Sequence, residues 1–345
     1  KRKINWADNK PDCDKCCVSQ VCHEQDSSLQ EFIQTYFITP FINRFAPEEK
    51  LNWIFLLLTV VIAVIIYLFQ FRKQNSYSLI QLKDFIFPAR IYKNQSSRTD
   101  VYYFIVDTLL RFLIITPFIV YGVQVGDQLT KALNAVFGEF ANPVFPSELV
   151  VVYLTFLFVV AYDFSFYLAH RLLHKIGFLW EFHKVHHSAE VLNPLTLFRE
   201  HPVDQLVNGA FAGIATGLVL GLFDYFTATP VRFSGAVWIT GFLFIVAGGH
   251  FRHMEIWISY GKYLNLVFIC PAHHQIHHSC DQKHKDKNFG GIFSFWDCLF
   301  CSLYMPVKPE KLVMGLANDE HKNYRNVCVL YCLPFANLYR KIFKS

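Results

Sequence analysis

Charged residues are scarce in this chain. Aspartate, glutamate, lysine and arginine make up 17% of its 345 residues, whereas hydrophobic residues make up 53%. An average soluble domain carries about 25% charged residues, so this composition disfavours an ordinary soluble protein and indicates a membrane protein. The alternative is a soluble all-helical protein with long core helices. The run Trp53–Phe69, which contains no charged residue, counts against that alternative.

The chain also lacks the patterns of several other protein classes. It shows no internal repeat, no low-complexity tract and no second soluble domain, and no array of basic residues interleaved with aromatic residues supports nucleic-acid binding. The formal net charge of +5 is modest and is spread among the loops that flank apolar runs. This distribution indicates contact with anionic lipid headgroups rather than with nucleic acid.

Five apolar runs approach the length of about 20 residues that crosses the hydrocarbon layer of a membrane. They are Trp53–Phe69, Leu109–Val125, Leu149–Leu168, Leu206–Phe226 and Phe233–Ala247. Asp107 and Arg111 lie at the start of the second run, so part of it is expected at the interface or among other helices. The sequence therefore predicts an all-α membrane protein with about four to five transmembrane helices.

Basic residues are unevenly distributed among the predicted loops. Six of them lie between Arg72 and Arg98, after the first run, whereas Lys131 is the only basic residue of segment 126–147. Cytoplasmic loops are rich in lysine and arginine, so the third run is expected to end at the cytoplasmic face. The histidines begin there. We therefore predict an integral membrane protein with a histidine-rich helical cap on its cytoplasmic face.

Thirteen of the fifteen histidines lie between His170 and His284. Ten of them form four groups: His170-x3-His174, His183-x2-His186-His187, His250-x2-His253 and His274-x2-His277-His278. Side chains three or four positions apart on a helix face the same way, and imidazole is a common metal ligand. Ten imidazoles exceed the three or four that one zinc ion takes, so the cap is predicted to hold a dinuclear metal site.

The chain divides into three predicted parts. Residues 1–50 form an N-terminal segment with an interfacial helix, and residues 51–306 form the membrane-embedded domain with the histidine motifs. Residues 307–345 form an amphipathic C-terminal tail. The first part contains four clustered cysteines: Cys13, Cys16, Cys17 and Cys22. Disulfides or plain thiols are expected for them, and a zinc knuckle is the alternative.

Several motifs resemble those of the fatty acid hydroxylase superfamily, the membrane-bound non-haem diiron enzymes. They are Asp163-Phe164 with Tyr167, His170-Arg171-Leu172-Leu173-His174, Trp180-Glu181-Phe182-His183-Lys184-Val185-His186-His187-Ser188, Arg199-Glu200-His201-Pro202, Pro271-Ala272-His273-His274-Gln275-Ile276-His277-His278-Ser279, and Asn288-Phe289-Gly290-Gly291 with Trp296-Asp297. The sequence looks closest to the bacterial-type sterol desaturase branch of that superfamily. The resemblance extends from about Asp163 to Tyr304.

The resemblance implies ten metal-binding histidines: His170, His174, His183, His186, His187, His250, His253, His274, His277 and His278. Some relatives place the third pair four residues apart, whereas His250 and His253 are three apart, so ligation by His250 stays open. Candidates to orient ligand imidazoles through hydrogen bonds are Asp163, His201, Asn288 and Asp297. His201 is also an open candidate for direct ligation. His273 and His284 are expected to face solvent or lipid headgroups.

The resemblance also implies an O2-dependent diiron oxidoreductase that hydroxylates or desaturates a membrane lipid such as a sterol or a fatty acyl or alkyl lipid. Its cofactors would be two iron ions, replaceable by zinc on purification, with O2 and electrons from a separate electron-transfer protein or reductant. A zinc-dependent membrane hydrolase is one alternative, but the chain contains no His-Glu-x-x-His. A metal transporter or sensor is another, and it would place ionisable residues inside the spans rather than at helix ends.

Overall fold

The computed structural model describes residues 34–46, 51–72, 77–139, 147–227, 234–246 and 248–343. The predicted N-terminal cysteine cluster lies outside these residues. Within the described ranges the chain is helical, and its β-type pairing is limited to two isolated bridges. The predicted all-α class is therefore confirmed.

Within the same ranges, nine α-helices have seven residues or more. They are α1 (Trp53–Phe71), α2 (Leu79–Ile86), α3 (Gln95–Phe137), α4 (Ser147–Lys175), α5 (Gly177–His187), α6 (Pro202–Thr227), α7 (Ser234–Val246), α8 (Pro271–His277) and α9 (Val327–Phe343). Shorter α-helical segments are Thr39–Asn43, Ala89–Tyr92, Gly261–Leu264 and Phe295–Leu299, and Gln34–Ile38 is a π-helical turn. The 3-10 turns are Pro194–Phe198, His250–His253, Gln282–His284 and Ala317–Asn323.

Three helices in the described part of the chain are long and apolar enough to cross a membrane, judged by length and composition. They are α1, residues Val152–Lys175 of α4, and α6. Large apolar side chains cover their outer surfaces, and Leu57 of α1 and Phe156 of α4 are 56% and 62% exposed. Extended apolar surfaces of this kind mark contact with lipid or with another apolar partner. These helices contain the first, third and fourth predicted runs.

The second and fifth predicted runs lie in helices of other lengths. Leu109–Val125 falls inside the 43-residue α3, and α7 has 13 residues, fewer than the roughly 20 that cross a bilayer. Near the start of the second run, Asp107 is buried, pairs with Arg44 at 2.6 Å and accepts a hydrogen bond from Gln205. This charge is therefore neutralised between helices. The number of spans stays a prediction.

Glycines let α3 and α6 pack with their backbones in contact. Gly122 and Gly126 of α3 face Gly213, Gly217 and Gly221 of α6, so that small residues recur every four positions on both helices. A Cβ atom added to Gly126 would lie 3.1 Å from the Gly217 carbonyl oxygen, and one added to Gly217 would collide with the Gly122 carbonyl oxygen. Small residues at this spacing permit close helix crossings in membranes. The contact fixes α6 against α3.

The histidine-bearing segments converge at one end of these helices. The last turns of α4, the whole of α5, the turn His250–His253 and α8 lie together there. Asp204 in the first turn of α6 contacts His183 of α5, so the carboxyl end of α4 and the amino end of α6 share this face. The predicted histidine-rich cap is confirmed. Which side of the membrane it occupies stays a prediction.

The C-terminal helix α9 is tied to α5 by a buried carboxylate. Glu181 of α5 has no exposed surface. It accepts hydrogen bonds from Lys184 at 3.0 Å, from Asn337 of α9 at 3.1 Å, and from Lys341 of α9. A buried charge is tolerated when several donors surround it. The predicted amphipathic tail thus includes a helix that packs on the histidine-bearing helix.

Candidate metal centre

Nine of the ten predicted ligands assemble into two groups. The first group contains His170, His174, His183, His187 and His277, and the second contains His186, His253, His274 and His278. Within each group, one nitrogen from every ring lies within 4.8 Å of the others. Residues four apart on a helix share a face, so His183 and His187 of α5 join the first group while His186 turns to the second.

The first group has the donor set of a metal site. The Nε2 atoms of His174, His183, His187 and His277 are buried and have no hydrogen-bond partner among the described residues. Buried polar atoms are normally paired. The His174 ring centroid lies 4.7 to 4.8 Å from those of the other three, so a single cation between them would satisfy all four nitrogens.

The second group leads to the same conclusion from its distances. The Nε2 atoms of His253, His274 and His278 lie 3.1 to 3.2 Å from one another. Each neutral Nε2 is either a donor or an acceptor, so three mutual contacts cannot all be hydrogen bonds. Metal–nitrogen bonds of about 2.1 Å at tetrahedral or octahedral angles separate ligand nitrogens by about 3.0 to 3.4 Å. The observed triangle therefore fits a bound metal ion.

Burial keeps these imidazoles in the neutral form that metal binding requires. Desolvation, followed by repulsion from neighbouring imidazoles, lowers the pKa of His183, His187 and His278 well below its ordinary value. Desolvation also lowers the pKa of His277 to about 4. Each of these rings therefore offers a lone pair at neutral pH.

Backbone carbonyls fix the orientation of two ligands of the first group. His170 Nδ1 donates to the Phe289 carbonyl oxygen at 2.9 Å, and His277 Nδ1 donates to the Lys287 carbonyl oxygen at 2.8 Å. A metal-bound imidazole commonly donates its other N–H to such an acceptor. In both rings Nδ1 carries the proton, which leaves the Nε2 lone pair for a metal ion.

A third histidine of the first group is held by a carboxylate that the motifs did not indicate. His183 Nδ1 donates to Asp204 Oδ2 at 3.1 Å, and Asp204 is 1% exposed. One signal could have identified this residue, because an ionisable side chain at the start of an apolar run is by default a functional candidate.

Asp163 and Asp297, both predicted to orient imidazoles, act on the backbone instead. Asp297 accepts a hydrogen bond from the Phe289 N–H at 2.8 Å, and Asp163 accepts one from the Phe293 N–H at 3.0 Å. Both carboxylates thereby fix the loop whose Phe289 carbonyl holds His170. Their effect on this ligand passes through the loop rather than through direct contact.

Asn288 and His273 form hydrogen bonds that stabilise the first turn of α8. Asn288 Nδ2 donates to the His273 carbonyl oxygen at 3.1 Å, and His273 Nδ1 accepts a hydrogen bond from the Cys270 N–H at 3.2 Å. His273 and His284 were predicted to face solvent or headgroups, but they are 0% and 1% exposed. That prediction was wrong: the His273 ring turns back to the Cys270 N–H at the start of its own helix, and the His284 ring lies 3.4 Å from Glu310 of the segment that follows.

His201 and His250 belong to neither group. His201 Nε2 donates to the Tyr331 carbonyl oxygen of α9 at 3.1 Å. His250 Nδ1 lies 2.7 Å from Thr59 Oγ1, and that hydroxyl donates to the Phe55 carbonyl oxygen, so it accepts from His250. Both histidines therefore make contacts outside the two groups.

Two cavities reach the histidine groups, and their linings share no residue. The charged cavity, of about 280 Å³, touches His174, His187, His277 and His278 and is also lined by Lys184, Lys285, Asp286 and Glu320. The inner cavity, of about 50 Å³, touches His170, His183, His186, His253 and His274 and is also lined by Phe166, Leu197, Phe244, Glu200, Asp204 and Asn208. The centre is thus approached through a larger cavity with two lysines in its lining and through a smaller one whose lining combines Phe166, Leu197 and Phe244 with charged side chains.

Residues 155–302 match the family model described as fatty acid hydroxylase. Alkylglycerol monooxygenase of Caenorhabditis elegans is 30% identical over 159 residues, which is 46% of this chain and 28% of that protein. The human alkylglycerol monooxygenase is 28% identical over 45% of this chain and 31% of its own length. Ornithine lipid hydroxylase OlsE of Rhizobium tropici is 27% identical over 59% of this chain and 60% of its own length. No solved structure matches.

The family match and the geometry coincide. All nine grouped histidines, from His170 to His278, lie inside the matched segment, and so do Asp204 and Asp297. Placement in the sterol desaturase branch stays a prediction. Residues 155–302 therefore match the fatty acid hydroxylase family, and the chain covers less than two thirds of the length of each of these relatives.

Proposed function

We propose that this chain is a non-haem diiron oxygenase that hydroxylates a membrane lipid. The observation that carries the proposal is the pair of all-histidine groups at the ends of apolar helices. The names of the relatives agree with it, because they are lipid hydroxylases and monooxygenases.

The nine grouped imidazoles suit two iron ions, one in each group, and would also accept zinc. When bound, two irons supply the reduction of O2 with two external electrons and the oxidation of an unactivated C–H bond. The protein's part is to hold the rings. The Phe289 and Lys287 carbonyls and the Asp204 carboxylate keep three Nε2 atoms deprotonated and directed at one point.

The two cavities support separate routes to the centre. The inner cavity has apolar walls at Phe166, Leu197 and Phe244, which suit a lipid entering from the membrane. The charged cavity, with Lys184 and Lys285 in its lining, suits a separate water-soluble electron donor. We favour hydroxylation over desaturation, since the relatives are named for hydroxylation and monooxygenation.

The test is lipid mass spectrometry of cells that express the chain or its His277→Ala variant, grown under isotopically labelled O2. We expect a lipid that gains one labelled oxygen atom in the first culture and not in the second. Lipid cleavage without label would favour the hydrolase alternative. The absence of any labelled lipid from the culture with intact chain would refute the oxygenase proposal.

We further propose that the histidine groups lie at the cytoplasmic face. Arg90, in the basic segment before α3, forms an ion pair with Glu255 directly after the turn that carries His253. The basic loop therefore lies on the side of the histidines, and basic loops are cytoplasmic.

Thiol labelling of single-cysteine variants in sealed vesicles tests this orientation. Cysteines that replace Lys175 and Lys283, which are about half exposed, should react with an impermeant reagent from the cytoplasmic side. A cysteine that replaces Glu139 should react from the other side. Reaction of the first two positions from different sides would contradict the proposed topology.

A further inference from the structure

The inner cavity contains hydrogen-bond acceptors among apolar walls. Asp204 and Asn208 lie one turn apart on α6 and both line the cavity. Phe166 and Phe244 line it beside them. An otherwise apolar pocket with a few placed polar atoms is the usual form of a site that orients its ligand through those atoms.

Two of these acceptor atoms have no hydrogen-bond donor among the residues that the structure describes. Asp204 uses Oδ2 to hold His183, while its Oδ1 is buried and has no hydrogen-bond partner in the described part of the chain. The same is true of Asn208 Oδ1. Asp204 as a whole is 1% exposed. Since buried acceptors are normally paired, two of them on one cavity wall indicate a ligand that brings donors.

We propose that Asp204 Oδ1 and Asn208 Oδ1 accept hydrogen bonds from a hydroxyl or amide N–H group of the lipid, and so select lipids with a donor close to the oxidised carbon. This inference rests on the proposed lipid oxidation. The Asp204 carboxylate also holds a ring of the first group, so the donor would lie one imidazole away from the metal position. The lipid carbon next to this donor group would then be the carbon closest to the metal position.

The size and charge of the cavity agree with such a group. About 50 Å³ accommodates a few water-sized groups, which suits a small substituent rather than a headgroup. Glu200 adds a second carboxylate to the lining, which disfavours an anionic ligand. Arg252 also lines the cavity, but it donates to the Ile269 carbonyl oxygen at 3.2 Å and lies over the Phe244 ring, 4.6 Å from its centroid.

The experiment compares a sixteen-carbon vicinal diol with its dimethyl ether, in which methyl groups replace the two hydroxyl hydrogens. Native mass spectrometry measures how much of each lipid the purified chain retains in detergent. The variant is Asn208→Leu, because Asp204 also positions a ligand. The matched control is Thr216→Val on the same helix, where the hydroxyl donates to the Ala212 carbonyl oxygen.

We expect the wild-type protein and Thr216→Val to retain the diol about tenfold better than the ether, the effect of one or two hydrogen bonds. Asn208→Leu should lose most of this preference while retaining the ether as before, a result that general destabilisation would not give. Equal retention of the two lipids by the wild type, which would mean that the cavity holds water only, would overturn the inference. So would an unchanged preference in Asn208→Leu. Retention requires no turnover, so these results are independent of whether labelled oxygen enters a lipid.

Discussion

The His-x2-His-His motif occurs twice in the chain, and its residues are divided between the two histidine groups in opposite ways. In His183-x2-His186-His187 the outer pair joins the first group and the middle residue joins the second, whereas in His274-x2-His277-His278 the outer pair joins the second group and the middle residue joins the first. His170 and His174 add another pair to the first group. The second group receives His253 alone from the remaining motif. The two groups therefore differ by one histidine.

This difference predicts unequal metal binding. Five imidazoles in the first group, three of them held by protein acceptors, should bind an ion more tightly than four. Fewer protein ligands at the second position leave more room for exchangeable ligands, as in catalytic metal sites. We therefore expect the first group to retain its ion longest and the second group to exchange its ion more readily.

The largest expected effect comes from removing one ligand of either group. His277→Ala and His278→Ala alter adjacent residues that belong to different groups. Each should weaken the binding of one ion and lower the metal content below two ions per chain, more strongly in His278→Ala, which leaves three imidazoles in its group. Lipid oxidation should fall by more than about 100-fold in both, since an intact ligand set matters more than its outer partners. Metal analysis and product formation measure the two effects.

The control for this pair is His321→Ala, because His321 lies outside both groups and contacts the Leu316 carbonyl oxygen. Its metal content should remain near that of the wild type. Equal metal loss in all three variants would show general destabilisation rather than ligation.

A smaller effect, confined to the first group, is expected from Asp204→Asn. The neutral amide oxygen of the variant is a weaker acceptor for the His183 N–H than the carboxylate is. The affinity of the first group for its metal ion should therefore fall about 10- to 100-fold. Titration with a chelator should then find two ions of similar affinity, where the wild type shows one tight and one weaker ion. The exposed Asp319→Asn serves as control. Loss of the weaker ion alone would contradict our assignment of Asp204.

Gly217→Ala should destabilise the fold without changing metal binding by either histidine group. The added methyl group would collide with the Gly122 carbonyl oxygen, and overpacking of this kind costs about 1 to 3 kcal/mol. Thermal unfolding in detergent should show a lower Tm, with the number of ions per folded chain unchanged. Gly177→Ala is the matched control, since a Cβ atom there meets nothing within 4 Å. An equal Tm for the two variants would contradict the close packing of α3 and α6.

The smallest expected effect is that of Lys341→Ala. Lys341 is 58% exposed and bonds to the buried Glu181, which keeps two other donors, so the loss should be about 1 kcal/mol or less. Because α5 supplies ligands to both groups, both affinities should fall slightly and together. Lys308→Ala, an exposed lysine elsewhere, should change neither affinity. A selective loss from one group would show that α9 supports that group alone.

Spacing along a helix allowed most of the centre to be predicted from the sequence. His183 lies one helical turn from His187, and His274 lies one helical turn from His278. Residues at this spacing share one face of a helix, so each pair could be expected to point in one direction. The all-α class followed from the length of the apolar runs. These features depend only on residues that are near one another in the chain.

The features that were missed depend on contacts between distant segments. His250 pairs with Thr59, 191 residues away, and no local period indicates that contact. Asp204 reaches His183 because the amino end of α6 lies beside α5. The length of α3 was missed because Asp107 is neutralised by Arg44 of another segment. The spacing of residues in the sequence shows which of them share a helix face. Which residues of other segments they contact is decided by the tertiary fold.

The dinuclear assignment is tested most directly by the metal content and the magnetic behaviour of the purified, folded chain. The two groups are adjacent, with the His187 and His278 ring centroids 4.6 Å apart, so two bound irons would be close enough to interact. We predict about two iron ions per chain, magnetically coupled to each other. One ion per folded chain, or two iron ions without coupling, would contradict a dinuclear centre.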